Sequence, residues 1–235
     1  GACGMSRSAT RRATRPSSVS RGSSPTIPAR LDASARTRVG GSGSSVVAAI
    51  VQSASRWNQR NPGKEVIVFN HSSIDPELTG KHCNFWHFQT EANTAMKMKA
   101  LANFARKQPD IHKVYLFNQD YAHGKQWATY GRQLVGLARP DVQFVGEQLH
   151  GVGRVKDFAP YVAQMKQAGA DTLISGNWGP DMMLLLKAAG EAGMNSRILN
   201  HSAGSMPGTV LAASQESIPQ TITASTSSSW RSMAL

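Results

Sequence analysis

A rhythm of short apolar runs constrains this chain more than any other feature. "KVYLFN" opens near residue 113, "VQFVGEQL" near 142, "DTLISG" near 171 and "SRILN" near 197. Between them lie "GKQWATYGRQLVGLA", "DFAPYVAQMKQAG" and "PDMMLLLKAAGEAG", which read as helices, the last ending at Gly193. One strand–helix unit per roughly 30 residues is the spacing of right-handed βαβ crossovers. The rhythm therefore predicts an α/β fold, with parallel sheets covered by helices on both faces. It runs back through "EVIVFN" (65–70), the helix "NTAMKMKALANFARK", and the helix "SSVVAAIVQSASRWNQ". The latter opens on Ser44 or Ser45 as N-cap, after the turn "VGGSG". In the former, Ala95, Met98, Ala102 and Ala105 fall at helical spacing, with lysines opposite.

Composition separates this middle from the two ends. The chain has 235 residues, 40% of them hydrophobic, and a formal net charge of +12. Residues 1–40 hold eight arginines against one acid, Asp32, while the rest of the chain carries 18 basic and 13 acidic residues. The high charge is thus mostly a property of one arm. That arm and residues 214–235 are Ser/Thr-rich with few large apolar side chains, a composition that predicts disorder and is consistent with non-native sequence. Nucleic-acid binding by the folded part is not expected. Neither a membrane-length apolar stretch nor the apolar core of a signal peptide occurs in the sequence.

In an open parallel sheet, ligands bind beyond the carboxyl ends of the strands. The loops to inspect are therefore 70–73, 118–124, 150–156, 176–181 and 200–205. The turn at 41–45 adds the N–H groups of a helix N-terminus and the hydroxyls of Ser44 and Ser45, which suit a carboxylate or phosphate. "NQDYAHG" sets Asp120 near His123, an acid–base spacing, but no nucleophile accompanies it and no catalytic residue is assigned. "GGSGSS" lacks the G-x-x-x-x-G-K-[ST] pattern of a phosphate loop. The histidines are scattered, and Cys3 and Cys83, which could pair with each other or with nothing, have no metal spacing, so no metal and no cofactor is expected. Trp178, just past a strand between Asn177 and Gly179, is placed to wall a pocket.

"GSGSSVVAAI", "DPELTGKHC", "NQDYAHG", "VKDFAPYVAQMKQAGADTLISG" and "LLLKAAGEAGM" occur in an order that resembles the type I periplasmic substrate-binding proteins of branched-chain amino-acid ABC transporters. The resemblance covers about residues 39–213. It implies two lobes with a ligand cleft between them, the chain being a fragment: part of lobe one at 41–90, a hinge strand near Thr90, and lobe two at 91–213. It also implies a non-enzymatic, monomeric periplasmic protein. Its partners are then a small amino acid or carboxylate and a membrane permease. A transcriptional regulator built on the same core, with the basic arm on DNA, is the alternative. Carried over by position, Ser44 holds the ligand carboxylate, assisted by Ser45, and Ser72 and Ser73 meet the same head group, with Ile74 where a hydroxyl is sometimes found. His123 or Tyr121, and Trp178, supply the aromatic walls. The acid that pairs with a ligand ammonium belongs near Ser202, where no carboxylate stands; Asp181 is the substitute. The resemblance leaves Cys83 an orphan.

Overall fold

The computed structural model describes residues 43–203 in full, together with the backbone of 36–39 and 221–223. Two parallel sheets form. β1 (Arg36–Val39), β2 (Val66–Asn70) and β3 (His87–Gln89) make the first, in that order. The second contains β4 (Lys113–Gln119), β5 (Gln143–His150), β6 (Thr172–Ser175), β7 (Arg197–Asn200) and β8 (Thr221–Thr223), ordered β5-β4-β6-β7-β8. Its order reverses between β4 and β6, which is where a doubly wound sheet opens its binding crevice.

The helices are α1 (Ser44–Arg60), α2 (Thr94–Arg106), α3 (Ala122–Tyr130), α4 (Gly136–Ala138), α5 (Ala159–Gln167) and α6 (Gly179–Glu191). A π-helical segment, Gly131–Val135, joins α3 to α4. Strand alternation explains how one sheet serves two cores. On β4, Val114 and Leu116 face a cluster with Met98 and Leu101 of α2 and Trp127 of α3, whereas Tyr115 and Phe117 face Val162 of α5 and Leu185 of α6. β6 and β7 divide likewise, Leu173 and Ile198 to one side and Ile174 and Leu199 to the other.

The first sheet packs Val66 and Val68 under Val47, Val51 and Ala54 of α1. Asn58 continues that helical stripe and is buried because it behaves as a strand partner. Its Nδ2 donates to Val66 O (3.0 Å) and its Oδ1 accepts from Val66 N (2.7 Å). On the other face Phe69 and Phe88 stack at 5.5 Å and remain partly exposed.

Four details differ from the sequence reading. α1 is capped by Gly43, at φ 96°, a left-handed backbone that serine disfavours, so Ser44 and Ser45 lie inside the helix. Lys97 does not join the exposed lysines: it is buried and paired with Glu91 at 2.5 Å. Cys83 is disulfide-bonded rather than an orphan, its partner lying outside the described residues. Finally, β1 and β8 fall within the stretches read as arm and tail, because pairing to a sheet edge uses backbone groups and does not require apolar composition. The rest of both stretches lies outside the described residues. Among the described residues no helix is long and apolar enough to cross a membrane.

The β4–α3 turn is as tight as the backbone allows. A Cβ on Gly124 would sit 1.8 Å from Gln119 O, a backbone atom that cannot rotate away. Gly124→Ala is expected to lower stability by about 2–3 kcal/mol, read as an earlier denaturant midpoint; an unchanged midpoint would show that the turn is not rigid.

Candidate functional site

Three buried asparagines at or near strand ends shape most of the loops at the site. Asn70, fully buried, accepts from the N–H groups of Ser72 (3.2 Å) and Ser73 (2.8 Å) and donates to Ser73 O (2.9 Å). Asn200 repeats the arrangement after β7. It accepts from Ser202 N (2.7 Å) and Ala203 N (2.8 Å), and donates to Ser175 O (2.7 Å) and Asn177 O (2.8 Å). Asn118 takes Gly176 N at 2.6 Å. Buried amides of this kind shape the loops because leaving them unpaired would be costly.

These loops meet around a pocket of about 140 Å³ between the carboxyl ends of the two sheets. Gly43, Ser44, Ser72, Ser73 and Ile74 line it from the first sheet; Tyr121, His123, Trp178 and His201 line it from the second. Its size matches the roughly 150 Å³ apolar cavity that takes up benzene in another protein. The floor is the N-terminus of α1. The first intrahelical bond there is Val47 N to Gly43 O (3.1 Å), and Gly43 offers no side-chain cap, so the preceding N–H groups have no intrahelical acceptor. A 17-residue helix places partial positive charge at that point. Ser44 is buried beside it, and Ser73 Oγ is buried without a partner among the described residues.

The opposite wall is aromatic and neutral. Trp178 Nε1 donates to Tyr121 Oη at 2.7 Å. Burial, opposed by that bond, raises the Tyr121 pKa and keeps the phenol protonated. His123 donates from Nε2 to Gly176 O at 3.0 Å and lies 5.1 Å from the His201 ring. Burial lowers the His123 pKa from 6.5 to about 4, the Gly176 bond opposing and the Lys97 charge assisting. His201 is pushed well below 6.5 by burial, with repulsion from His123 and Lys97 adding to it. Among the described residues no acidic side chain lines the pocket.

Of the residues singled out from sequence, Ser44, Ser72, Ser73, Tyr121, His123 and Trp178 come together at the pocket. Ser45 does not; it is exposed one position along α1. Asp181 is buried away from the lining, where it accepts from Gln119 Nε2 (2.7 Å) and Gly153 N (2.9 Å). Its position in the first turn of α6 suits its charge. Ser202 is engaged with Asn200 rather than lining the pocket. His201, one residue earlier, lines the wall; the strand-end rule located its loop without singling it out. Asp120 pairs with Lys125 (3.0 Å) on the surface, and no hydrogen bond joins it to His123. Among the described residues no group of three or more His, Cys, Asp or Glu side chains could hold a metal ion.

Fold and pocket together define a class: parallel α/β proteins with two sheets whose carboxyl ends flank a small pocket at a helix N-terminus. A family model described as periplasmic binding protein matches residues 28–234, and the chain belongs to that family. It is 34% identical over 178 residues to the Leu/Ile/Val-binding protein homolog 4 of Brucella abortus, covering 75% of this chain and 42% of that protein. The chain thus spans less than half the length of the curated relatives it matches. Among solved structures, the closed leucine-, isoleucine-, valine-, threonine- and alanine-binding protein of Brucella ovis is 31% identical, with a TM-score of 0.62 over 76% of this chain and 45% of that one. A solute-binding protein from R. palustris in complex with benzoate shares the fold at 14% identity, with a TM-score of 0.63 over 73% of this chain and 47% of its own.

The buried imidazoles make stability depend on pH in a set direction. A folded pKa depressed to about 4 means the unfolded chain takes up the His123 proton first as pH falls below 6.5. The folded state is unpenalised above 6.5 and loses stability progressively down to about 4, by on the order of 3 kcal/mol from His123. His123→Gln, which keeps an N–H for Gly176 O, is expected to flatten this part of the curve. Thermal or denaturant unfolding at a series of pH values measures it; parallel curves for the two proteins would count against the assignment.

Proposed function

We propose that this chain is the solute-binding component of an ABC transporter, working outside the cytoplasm in the periplasm, and that it holds a small carboxylate in the pocket between its sheets. The pocket's one-sided chemistry carries the reading. Ser44, Ser72 and Ser73 line the pocket beside the uncapped start of α1, an arrangement suited to a carboxylate. The segments 41–90 and 91–213 act as the two lobes that contribute these walls, and the filled, closed form is what a membrane permease recognises. The solute is held rather than transformed, since His123 is committed to Gly176 and Asp120 to Lys125.

The Brucella ovis relative is named for amino-acid ligands and the R. palustris neighbour was solved with benzoate. The lining favours the second type of solute here. An α-ammonium enclosed without a counter-charge is strongly disfavoured, and neither Asp181 nor Ser202 supplies one at the wall.

Calorimetric titration with leucine and with 4-methylpentanoate, the same skeleton without its amino group, tests this. The acid is expected to bind at least about tenfold more tightly. Ser44→Ala should then weaken it by about ten- to a hundredfold, the loss of a charge-assisted hydrogen bond. Tighter leucine binding would overturn the carboxylate-only reading, and no binding by these or by benzoate would overturn the site itself.

A further inference from the structure

Lys97 is a buried charge in a region where lysine is rarely found. Its ammonium is held by Glu91 at 2.5 Å, yet enclosing such a pair is seldom a net gain in stability. The fold ties this charge to the pocket. Thr94, one turn earlier on α2, bonds Ile74 O through both N (2.7 Å) and Oγ1 (2.9 Å), and Ile74 lines the pocket. Met98, the next residue, shares a core cluster with Trp127, whose ring lies 4.7 Å from His201 and 5.7 Å from His123. The ammonium thus stands near the aromatic wall, and its charge acts on both imidazoles, adding to the effect of burial.

Glu91 faces the other way. It lines a separate groove at the β3–α2 crossing, with Gln89, Thr90, Asn93 and Met96. Among the described residues, it neither lines the pocket nor adds its charge to those acting on the two histidines. The one acid that does so is Asp75, at His123, and Gln126 Nε2 holds its Oδ1 at 2.8 Å. The Lys97–Glu91 pair is therefore polarised across the seam, its positive end towards the pocket and its negative end towards the outer groove. A charge buried in this way acts beyond contact distance and is little screened by salt.

We propose that Lys97 is the charge selector of the site: without touching the solute, its ammonium makes the pocket prefer an anion to a neutral molecule of the same shape. This rests on the carboxylate reading above, and adds a full charge to the partial one at the start of α1. The same field disfavours a cationic head group.

Calorimetric titration of the whole chain with benzoate and with benzamide, its neutral isostere, reads the preference as one ratio. The unmodified chain is expected to favour benzoate by at least about tenfold. Lys97→Met, which keeps the length of the stem, should cut that ratio by about fivefold or more while benzamide affinity stays within about twofold. Lys97→Arg, which keeps the charge, should hold the ratio within about twofold of the original. Glu91→Gln removes the outward end of the pair, so its ratio should hold or rise. The benzamide arm shows that a variant's pocket is intact, and Lys97→Gln serves if Lys97→Met does not fold. A ratio near one in the unmodified chain, no fall on neutralising Lys97, or an equal fall in Glu91→Gln overturns the selector role and leaves the carboxylate site standing. Failure of the unmodified chain to bind benzoate removes both.

Discussion

The site depends on buried asparagines that end strands. A strand's last residue faces a problem: its sheet hydrogen bonds are finished, yet the loop beyond is still enclosed and its N–H groups need acceptors. Asn70 and Asn200 solve it identically, each folding the two N–H groups that follow at i+2 and i+3 back onto one Oδ1. The sequences agree as well, "VFNHSS" ending β2 and "ILNHSA" ending β7. One motif thus appears on both sides of the pocket, in different sheets. It presents Ser72 and Ser73 from one side and His201 from the other. Asn118 performs the related task for Gly176, whose carbonyl then positions His123. Removing Asn70 or Asn200 would leave several backbone groups unpaired at once, so loop shape and pocket chemistry are not separable.

Much of this was legible before the structure. Apolar runs and their spacing placed the strands from β4 to β7, because a strand buried on both faces must be apolar throughout. The strand-end rule then selected the loops that line the pocket. What escaped has physical reasons. Serine's preference for helix N-caps pointed to Ser44, but the cap needs φ near 96°, and glycine takes that conformation most readily. Asp181 stood as the substitute for the acid that the resemblance places near Ser202. Whether its carboxylate faces the pocket or ties down a neighbouring loop depends on Gly153 and Gln119, distant in sequence. Lys97 read as solvent-facing because charge is normally exposed, and only its pairing with Glu91 allows burial. The three-residue β3 is too short for periodicity to reveal.

The junction between the sheets is narrow and specific. Thr94 bonds Ile74 O through both N (2.7 Å) and Oγ1 (2.9 Å), and Gln126 Nε2 reaches Asp75 Oδ1 at 2.8 Å. Each bond holds the loop after β2, the same loop that carries Ser72 and Ser73, against elements of the second sheet. A head group bound by those serines therefore sits beside the seam between the two units, not within either core. Ligand contacts made from both sides add to a small set of existing bonds, which is the condition under which binding favours one relative placement of the two units over others.

Charge explains why the same pocket is poorly suited to proton transfer. A general base needs a pKa near the working pH and a proton within reach. His123 fails on the first count, since burial holds it near 4, and its Nε2 is committed to a main-chain carbonyl. Lys97 sharpens the effect: its ammonium disfavours protonation of both His123 and His201, while Glu91 at 2.5 Å compensates its charge locally. The outcome is a wall that stays uncharged across the physiological range, opposite a floor of helix N–H groups and hydroxyls. For the proposed carboxylate, such an asymmetric field favours an orientation with the anionic head group at the start of α1.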